Sequence, residues 1–215
     1  MNFSKRIIRW QKLNGRNNLP WQTNDPYKVW VSEIMLQQTQ VSTVIPYYEN
    51  FIQSFPDVLT LSKSDLDEVL NNWAGLGFYR RARNLHQTSK IIANKYNQVF
   101  PDNYDDLVDL PGIGESTAGA ILALAFNKAG TILDGNVKRV VSRYLNVENN
   151  PSELKKTIKP FLYENSPEDN YRRFGQGMMD LGSLTCIKDK PKCNRCPIQK
   201  NCLSFKKQSF IKTKK

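Results

Sequence analysis

All four cysteines of this chain lie near its C-terminal end, as Cys186-x6-Cys193-x2-Cys196-x5-Cys202. Four thiolates confined to one short, basic, proline-punctuated loop suit metal chemistry. Cubane iron–sulfur clusters are held by four cysteine thiolates, and a Cys-x2-Cys core followed directly by Pro197 suits a ligand loop rather than a helix. Zinc is the rival metal, but structural zinc sites usually carry two closely spaced ligand pairs, whereas the outer cysteines here stand off by six and five residues. Disulfides are the third reading. The start, Met1-Asn2-Phe3-Ser4-Lys5-Arg6, has no long apolar core of a secretory signal; a reducing cytoplasm is expected, where disulfides are disfavoured. One 4Fe–4S cluster on Cys186, Cys193, Cys196 and Cys202 is the favoured cofactor.

A second constellation is Leu110-Pro111-Gly112-Ile113-Gly114-Glu115-Ser116-Thr117-Ala118-Gly119-Ala120. Glycines two apart let the backbone turn tightly and approach another molecule, and a following helix offers N–H groups and a positive dipole end to an anion. The pattern fits a phosphate cradle. It also fits an ordinary turn between packed helices, a reading that loses ground because the tight hairpin coincides with a basic chain and with small residues at Ala118, Gly119 and Ala120 that permit close packing.

Charge favours the first reading. The 215 residues carry 31 Lys and Arg against 20 Asp and Glu, a formal charge of +11, which attracts polyanions, nucleic acid foremost. Arg80, Arg81 and Arg83 form one cluster, and Lys206, Lys207, Lys212, Lys214 and Lys215 another. A membrane surface is the weaker partner. No apolar run is long enough to span a bilayer.

The elements that must position these groups read as helices throughout. Helices are expected at Ser4–Leu13, Tyr27–Gln38, Thr43–Phe51, Lys63–Trp73, Tyr79–Tyr96, Tyr104–Leu110, Glu115–Phe126, Asn136–Tyr144, Pro151–Tyr163 and Asp169–Leu181, from apolar periodicity and turn residues. Asp25 and Pro26 mark one start sharply, as N-cap and first helical residue.

Several segments together resemble a known family. Leu110-Pro111-Gly112-Ile113-Gly114, then Asp134, then the four-cysteine loop look like the helix-hairpin-helix DNA glycosylase superfamily, and within it the adenine DNA glycosylases. The further matching segments are Leu19-Pro20-Trp21-Gln22, Asp25-Pro26-Tyr27-Lys28-Val29-Trp30, Ser32-Glu33-Ile34-Met35-Leu36-Gln37-Gln38-Thr39-Gln40-Val41, Gly75-Leu76-Gly77, Ala82-Arg83-Asn84-Leu85, Ile132-Leu133-Asp134-Gly135-Asn136-Val137-Lys138-Arg139-Val140 and Met178-Met179-Asp180-Leu181-Gly182. The resemblance implies an all-α, two-lobed fold with DNA across its cleft. A helical barrel would occupy about 21–129, a cluster lobe 1–20 with 130–202, and a basic tail 203–215. It implies a cytoplasmic, bacterial, monomeric base-excision repair enzyme acting on mismatched or 8-oxoguanine-containing duplex DNA.

The chemistry expected of such an enzyme needs two carboxylates in different environments, one to protonate the leaving base and one to stabilise an oxocarbenium-like sugar. Glu33 fits the acid: Val29, Trp30, Leu36 and Gln37 lie a turn to either side, a setting expected to desolvate its carboxyl group and raise its pKa. Asp134 precedes Gly135 and Asn136 as a good N-cap, and a capping aspartate is held anionic by N–H groups and the helix dipole. Both a stabilising and a covalent role remain open for it. Ser116 stands where the related endonuclease III group carries a Schiff-base lysine, so strand cleavage is not expected; Lys138 is read as a phosphate contact.

By the same resemblance Gln38, Thr39, Leu76 and Phe78 face the opposing base, Gly112, Gly114, Ser116 and Asn136 bind the DNA backbone, and Trp30, Gln37 and Gln176 line the adenine pocket. Phe78 departs from the tyrosine common there, and Glu115 from arginine. Adenine glycosylases also carry a further C-terminal domain that helps recognise 8-oxoguanine, where this sequence stops, so opposing-base preference is left open. The alternatives are a thymine–guanine mismatch glycosylase and a non-catalytic DNA-damage-binding protein. Lone His86 is read as structural or solvated.

Overall fold

A computed structural model describes residues 2–212, with side chains described through Lys207. Lys214 and Lys215 of the expected basic tail lie outside the described residues. Among those described, every regular element is helical and there is no strand, as the periodicity predicts. The chain divides into two compact units, Asn18–Phe126 and Met1–Asn17 with Asn127–Lys215.

Helix α1 (Phe3–Asn14) begins the second of these, capped by Asn2, whose Oδ1 accepts from the Lys5 N–H at 3.0 Å. The first unit starts with α2 (Pro26–Leu36), and its beginning is the one foreseen. Asp25 Oδ1 accepts from the N–H groups of Tyr27 and Lys28 at 3.0 and 3.4 Å, satisfying donors that have no intrahelical partner. It ends two residues before the expected Gln38, because Gln37 already leaves the helical region at ψ 112°, and Gln38 follows with a left-handed φ of 58°. Helix α3 (Val41–Ser54) follows.

The expected helix at Lys63–Trp73 corresponds to α5 (Leu66–Asn72), and a separate helix, α4 (Val58–Lys63), precedes it and shares only Lys63 with the expected span. Ser64 breaks the run, its extended backbone accompanied by a 2.7 Å bond from its Oγ to the Leu61 carbonyl. A serine hydroxyl competing for the backbone in this way is a local alternative to helix. Helices α6 (Arg80–Lys95), α7 (Tyr104–Val108) and α8 (Glu115–Leu124) complete the unit. Its core holds Trp30, Phe51, Phe55 and Trp73 at 0–1% exposure, each burial contributing roughly 1.5–3 kcal/mol.

The other unit continues with α9 (Gly135–Leu145), then α10 (Pro151–Glu153), a π-helical turn Leu154–Ile158 and α11 (Lys159–Glu164), and then α12 (Tyr171–Asp180) running into a second π-helical turn, Leu181–Thr185. Helix α13 (Leu203–Lys212) packs on α9, so this basic stretch is a helix of the unit. Helix α1 lies on α12, where a Cβ on Gly177 would stand 2.8 Å from Ile7 Cγ2. That contact needs glycine. No helix among the described residues is long and apolar enough to cross a membrane.

Candidate functional site

The hairpin sits between α7 and α8. Asn103 caps α7, accepting from the Asp106 N–H at 3.0 Å, and Gly114 caps α8 with no side chain at all. The turn is held from α6: Thr88 Oγ1 donates to the Pro111 carbonyl at 2.9 Å, and a Cβ on Gly112, whose φ is +81°, would meet Asn84 Cβ at 2.9 Å. Gly112 is therefore required by both space and conformation. Gly114 has open space around it and is exposed, as is Glu115, with Ser116 half-buried.

Glu33 lies half-buried on α2 beside the buried Val29, Trp30, Ile34 and Met35. Gln37 Nε2 reaches Thr117 Oγ1 on α8 at 3.4 Å, joining the end of α2 to the first turn after the hairpin. Gln38 is exposed and Thr39 half-buried. Trp30, expected at the adenine pocket, presents no surface. It is 0% exposed and packs against Tyr27 and Phe100 at centroid separations of 6.1 and 5.3 Å, a core residue. Leu76 is likewise buried, at 5%, whereas Phe78 next to it is 57% exposed in a left-handed conformation, φ 53°.

Charge reading alone missed Arg81. Grouped with Arg80 and Arg83 as an attractor of polyanions, it is instead buried, while its two neighbours are exposed. Its guanidinium donates to the carbonyl oxygens of Ile34, Met35 and Gln37, to Thr39 Oγ1, and to the carbonyls of Leu76 and Gly77, at 2.5–3.5 Å. Burial lowers its pKa. The signal was there: Arg81 falls in register with Leu85, Thr88 and Ile92 on the buried stripe of α6.

In the other unit Asp134 caps α9. Its Oδ1 accepts from the Val137 N–H at 2.7 Å and its Oδ2 from Asn136 Nδ2 at 3.1 Å, so both oxygens are engaged at a helix N-terminus. Asn136 in turn accepts from Arg139 Nη2 at 2.8 Å. Lys138 is half-buried on the same helix. A Cβ on Gly182 would lie 2.5 Å from Asn136 Cβ, so the π-helical turn after α12 touches the first turn of α9 backbone to side chain. Gln176 is buried at 7% and donates to Asp180 Oδ1 at 3.0 Å; Asp180, fully buried, also accepts from Arg16 Nε at 2.7 Å and Arg16 N at 2.9 Å.

The cysteine loop closes against α9. Arg139 Nε donates to the Cys186 carbonyl at 2.9 Å, and Arg143 donates to the carbonyls of Ile187 and Lys188 at 2.6 and 2.7 Å. Short 3-10 turns, Cys193–Arg195 and Gln199–Asn201, and the buried Ile198 shape the rest. All four cysteines line one cavity of about 290 Å³, shared with Arg143, Thr185 and Pro191. Among the described residues no three His, Cys, Asp or Glu side chains converge closely enough to grip a single metal ion. Burial pushes the Cys196 thiol up to about 12, opposed by a backbone hydrogen bond at Ile198 and reinforced by its three sister cysteines; burial, then Cys186 and Cys202, raise Cys193 as well. Four thiolates coexist here only with positive charge among them. Lys188, Lys190, Lys192 and Arg195 point this loop's charge to solvent, all four being exposed.

Comparison with known proteins adds the family. Residues 31–162 match the model of the HhH-GPD superfamily base excision DNA repair proteins. The chain is 49% identical over 204 residues to an adenine DNA glycosylase of Buchnera aphidicola subsp. Baizongia pistaciae, covering 94% of this chain and 58% of that protein. It is 35% identical over 212 residues to the human adenine DNA glycosylase, covering 93% of this chain and 39% of the relative. It therefore spans about three fifths or less of the length of these relatives. Among solved structures, a thermostable thymine-DNA glycosylase superposes with a TM-score of 0.87 at 28% identity over 95% of both chains. An endonuclease III bound to DNA superposes with 0.79 at 21% identity, covering 98% of this chain and 100% of that one, a likeness of fold. With the hairpin, the capping aspartate and the helical architecture all in place, the chain belongs to the HhH-GPD superfamily of base excision DNA repair proteins.

Proposed function

We propose that this chain binds duplex DNA and removes adenine mispaired with 8-oxoguanine or guanine, hydrolysing the N-glycosidic bond without cutting the strand. The observation that carries the reaction class is Asp134, whose two carboxylate oxygens are held by an N–H group and an amide at the start of α9. Such a carboxylate is held in one orientation. Adenine as the target rests on relatives named adenine DNA glycosylase at 46–49% identity, well above the 28% to the thymine-DNA glycosylase.

The target adenosine leaves the stack, since no side chain reaches its glycosidic bond inside a duplex. Glu33 donates a proton to the adenine ring as the C1′–N9 bond breaks. Asp134 supplies the negative charge that the oxocarbenium-like sugar requires, and water adds at C1′, giving its proton to the Glu33 carboxylate, to leave an abasic site. Ser116 offers no amine, so no Schiff base forms and the strand stays whole. Gln37 and Gln176 orient the base, Gln38, Thr39 and Phe78 meet the opposing one over a buried Leu76, and the Gly112–Gly114 turn, Ser116 and Asn136 meet phosphates. Cys186, Cys193, Cys196 and Cys202 would hold a 4Fe–4S cluster. When bound, it supplies the positive charge that keeps four thiolates together, and a cavity broader than one ion needs supports it over zinc.

The test is single-turnover excision from duplexes holding adenine opposite 8-oxoguanine, adenine opposite guanine and thymine opposite guanine, with and without alkali. Alkali-dependent cleavage at adenine is expected. Cleavage only at thymine, or strand scission without alkali, overturns the reading.

A further inference from the structure

Arg81 is buried, yet among the described residues the polar partners of its guanidinium are carbonyls and one hydroxyl rather than a carboxylate. A buried cation without a counter-ion is expensive unless its donors are used; Arg81 Nε is buried without a hydrogen-bond partner, and the two Nη atoms carry all its bonds. Here Nη1 serves Ile34, Met35, Gln37 and Thr39 at the carbonyl end of α2, whose dipole favours a cation. Nη2 serves Leu76 and Gly77. The two acceptor groups belong to segments far apart in sequence, and only a planar fork with several fixed donors bridges both.

A second observation points the same way. Each bridged segment carries an exposed, non-glycine residue in the left-handed region, Gln38 at φ 58° and Phe78 at φ 53°. Such conformations persist where their surroundings over-determine them. The guanidinium carbon lies 5.1 Å from the centroid of the Phe78 ring and 5.5 Å from that of Trp73, so it grips the aromatic side chain as well as the backbone beneath.

We propose that Arg81 is a positioning residue that locks Gln37–Thr39 and Leu76–Phe78 into one rigid surface, and thereby sets how sharply the enzyme distinguishes the base opposite its target. The inference rests on the excision activity proposed above. Guanine and 8-oxoguanine differ at C8 and N7 alone, so telling them apart requires polar and aromatic groups held to within about 0.5 Å.

The experiment compares the full chain with Arg81→Lys and Arg81→Gln, and with Leu61→Ala, a cavity in the same core that leaves every Arg81 partner in place. Single-turnover rates are measured on adenine opposite 8-oxoguanine and opposite guanine at saturating enzyme, with unfolding midpoints alongside. The ratio of the two rates should fall about 10-fold in Arg81→Gln and by less in Arg81→Lys, which keeps the charge and three donors. Leu61→Ala should lower the midpoint and leave the ratio alone. An unchanged ratio in both Arg81 variants, or an equal fall in Leu61→Ala, makes Arg81 a core residue only. If Arg81→Gln does not fold, Arg81→Lys decides by the same criterion. Should the unmodified chain release no adenine from either duplex, the proposed function fails. The clamp is then read from hydrogen exchange of segments 37–39 and 76–78, which must quicken in the Arg81 variants beyond Leu61→Ala or the inference falls too.

Discussion

Arg139 reaches from α9 to the carbonyl oxygen of Cys186, Nε to O at 2.9 Å, while its Nη2 holds Asn136 Oδ1 at 2.8 Å and the Gly182 carbonyl at 2.7 Å. Asn136 holds Asp134. One guanidinium thus ties the first cysteine to the capping aspartate. Arg139→Leu strands four acceptors, the Gly135 carbonyl included, a loss of about 1–3 kcal/mol. The variant is expected to unfold at a lower temperature and to carry less iron per chain, both measured on purified protein.

Asp134 performs a structural and a chemical task that one substitution separates. Asparagine is as good an N-cap as aspartate but cannot accept from Asn136 Nδ2, so Asp134→Asn should lose about 1 kcal/mol in denaturant melts and stay folded. Its excision rate should fall by at least about 100-fold, because the neutral amide gives no charge to the sugar cation. Glu33→Gln makes the complementary case, with duplex binding retained by gel shift and base release lost. A Glu33→Gln protein that still excises adenine removes Glu33 from the mechanism.

The cysteine cavity predicts its own contents. Purified protein should hold about four iron atoms with matching acid-labile sulfide, and Cys193→Ser should lose most of both. Zinc at one atom per chain, with no sulfide, would overturn the cluster.

His86 is 5% exposed, and its Nε2 lies 3.0 Å from the Ser64 carbonyl, which requires the Nε2–H tautomer. Burial, then Lys90, lowers its pKa below the ordinary 6.5, against the opposing pull of Ser64 and Asp65. The unfolded chain then binds the proton more readily than the folded one. Stability from this group is complete above about pH 6.5 and declines as pH falls below it. His86→Gln should flatten that part of the curve, measured as melting temperature between pH 7.5 and 5.5.

What the sequence determined by itself was local. Asp25 and Pro26 start α2, Asp134 caps α9 and Asn103 caps α7 through bonds spanning two or three residues, and such signals are legible because donor and acceptor sit within one turn. The cysteine spacing and the hairpin glycines are local in the same sense. The tertiary structure decided everything that joins distant positions. Arg81 reads as surface charge until α6 packs on α2 and buries it against Ile34, 47 residues earlier. Trp30 reads as a pocket wall until the core closes over it, and the placement of Gln176 follows from Asp180, itself fixed by Arg16 from 164 residues away. Composition and periodicity state which residues want burial or a partner; which partner each one finds is set by packing, where a few ångströms of helix placement choose among chemically equivalent donors and acceptors.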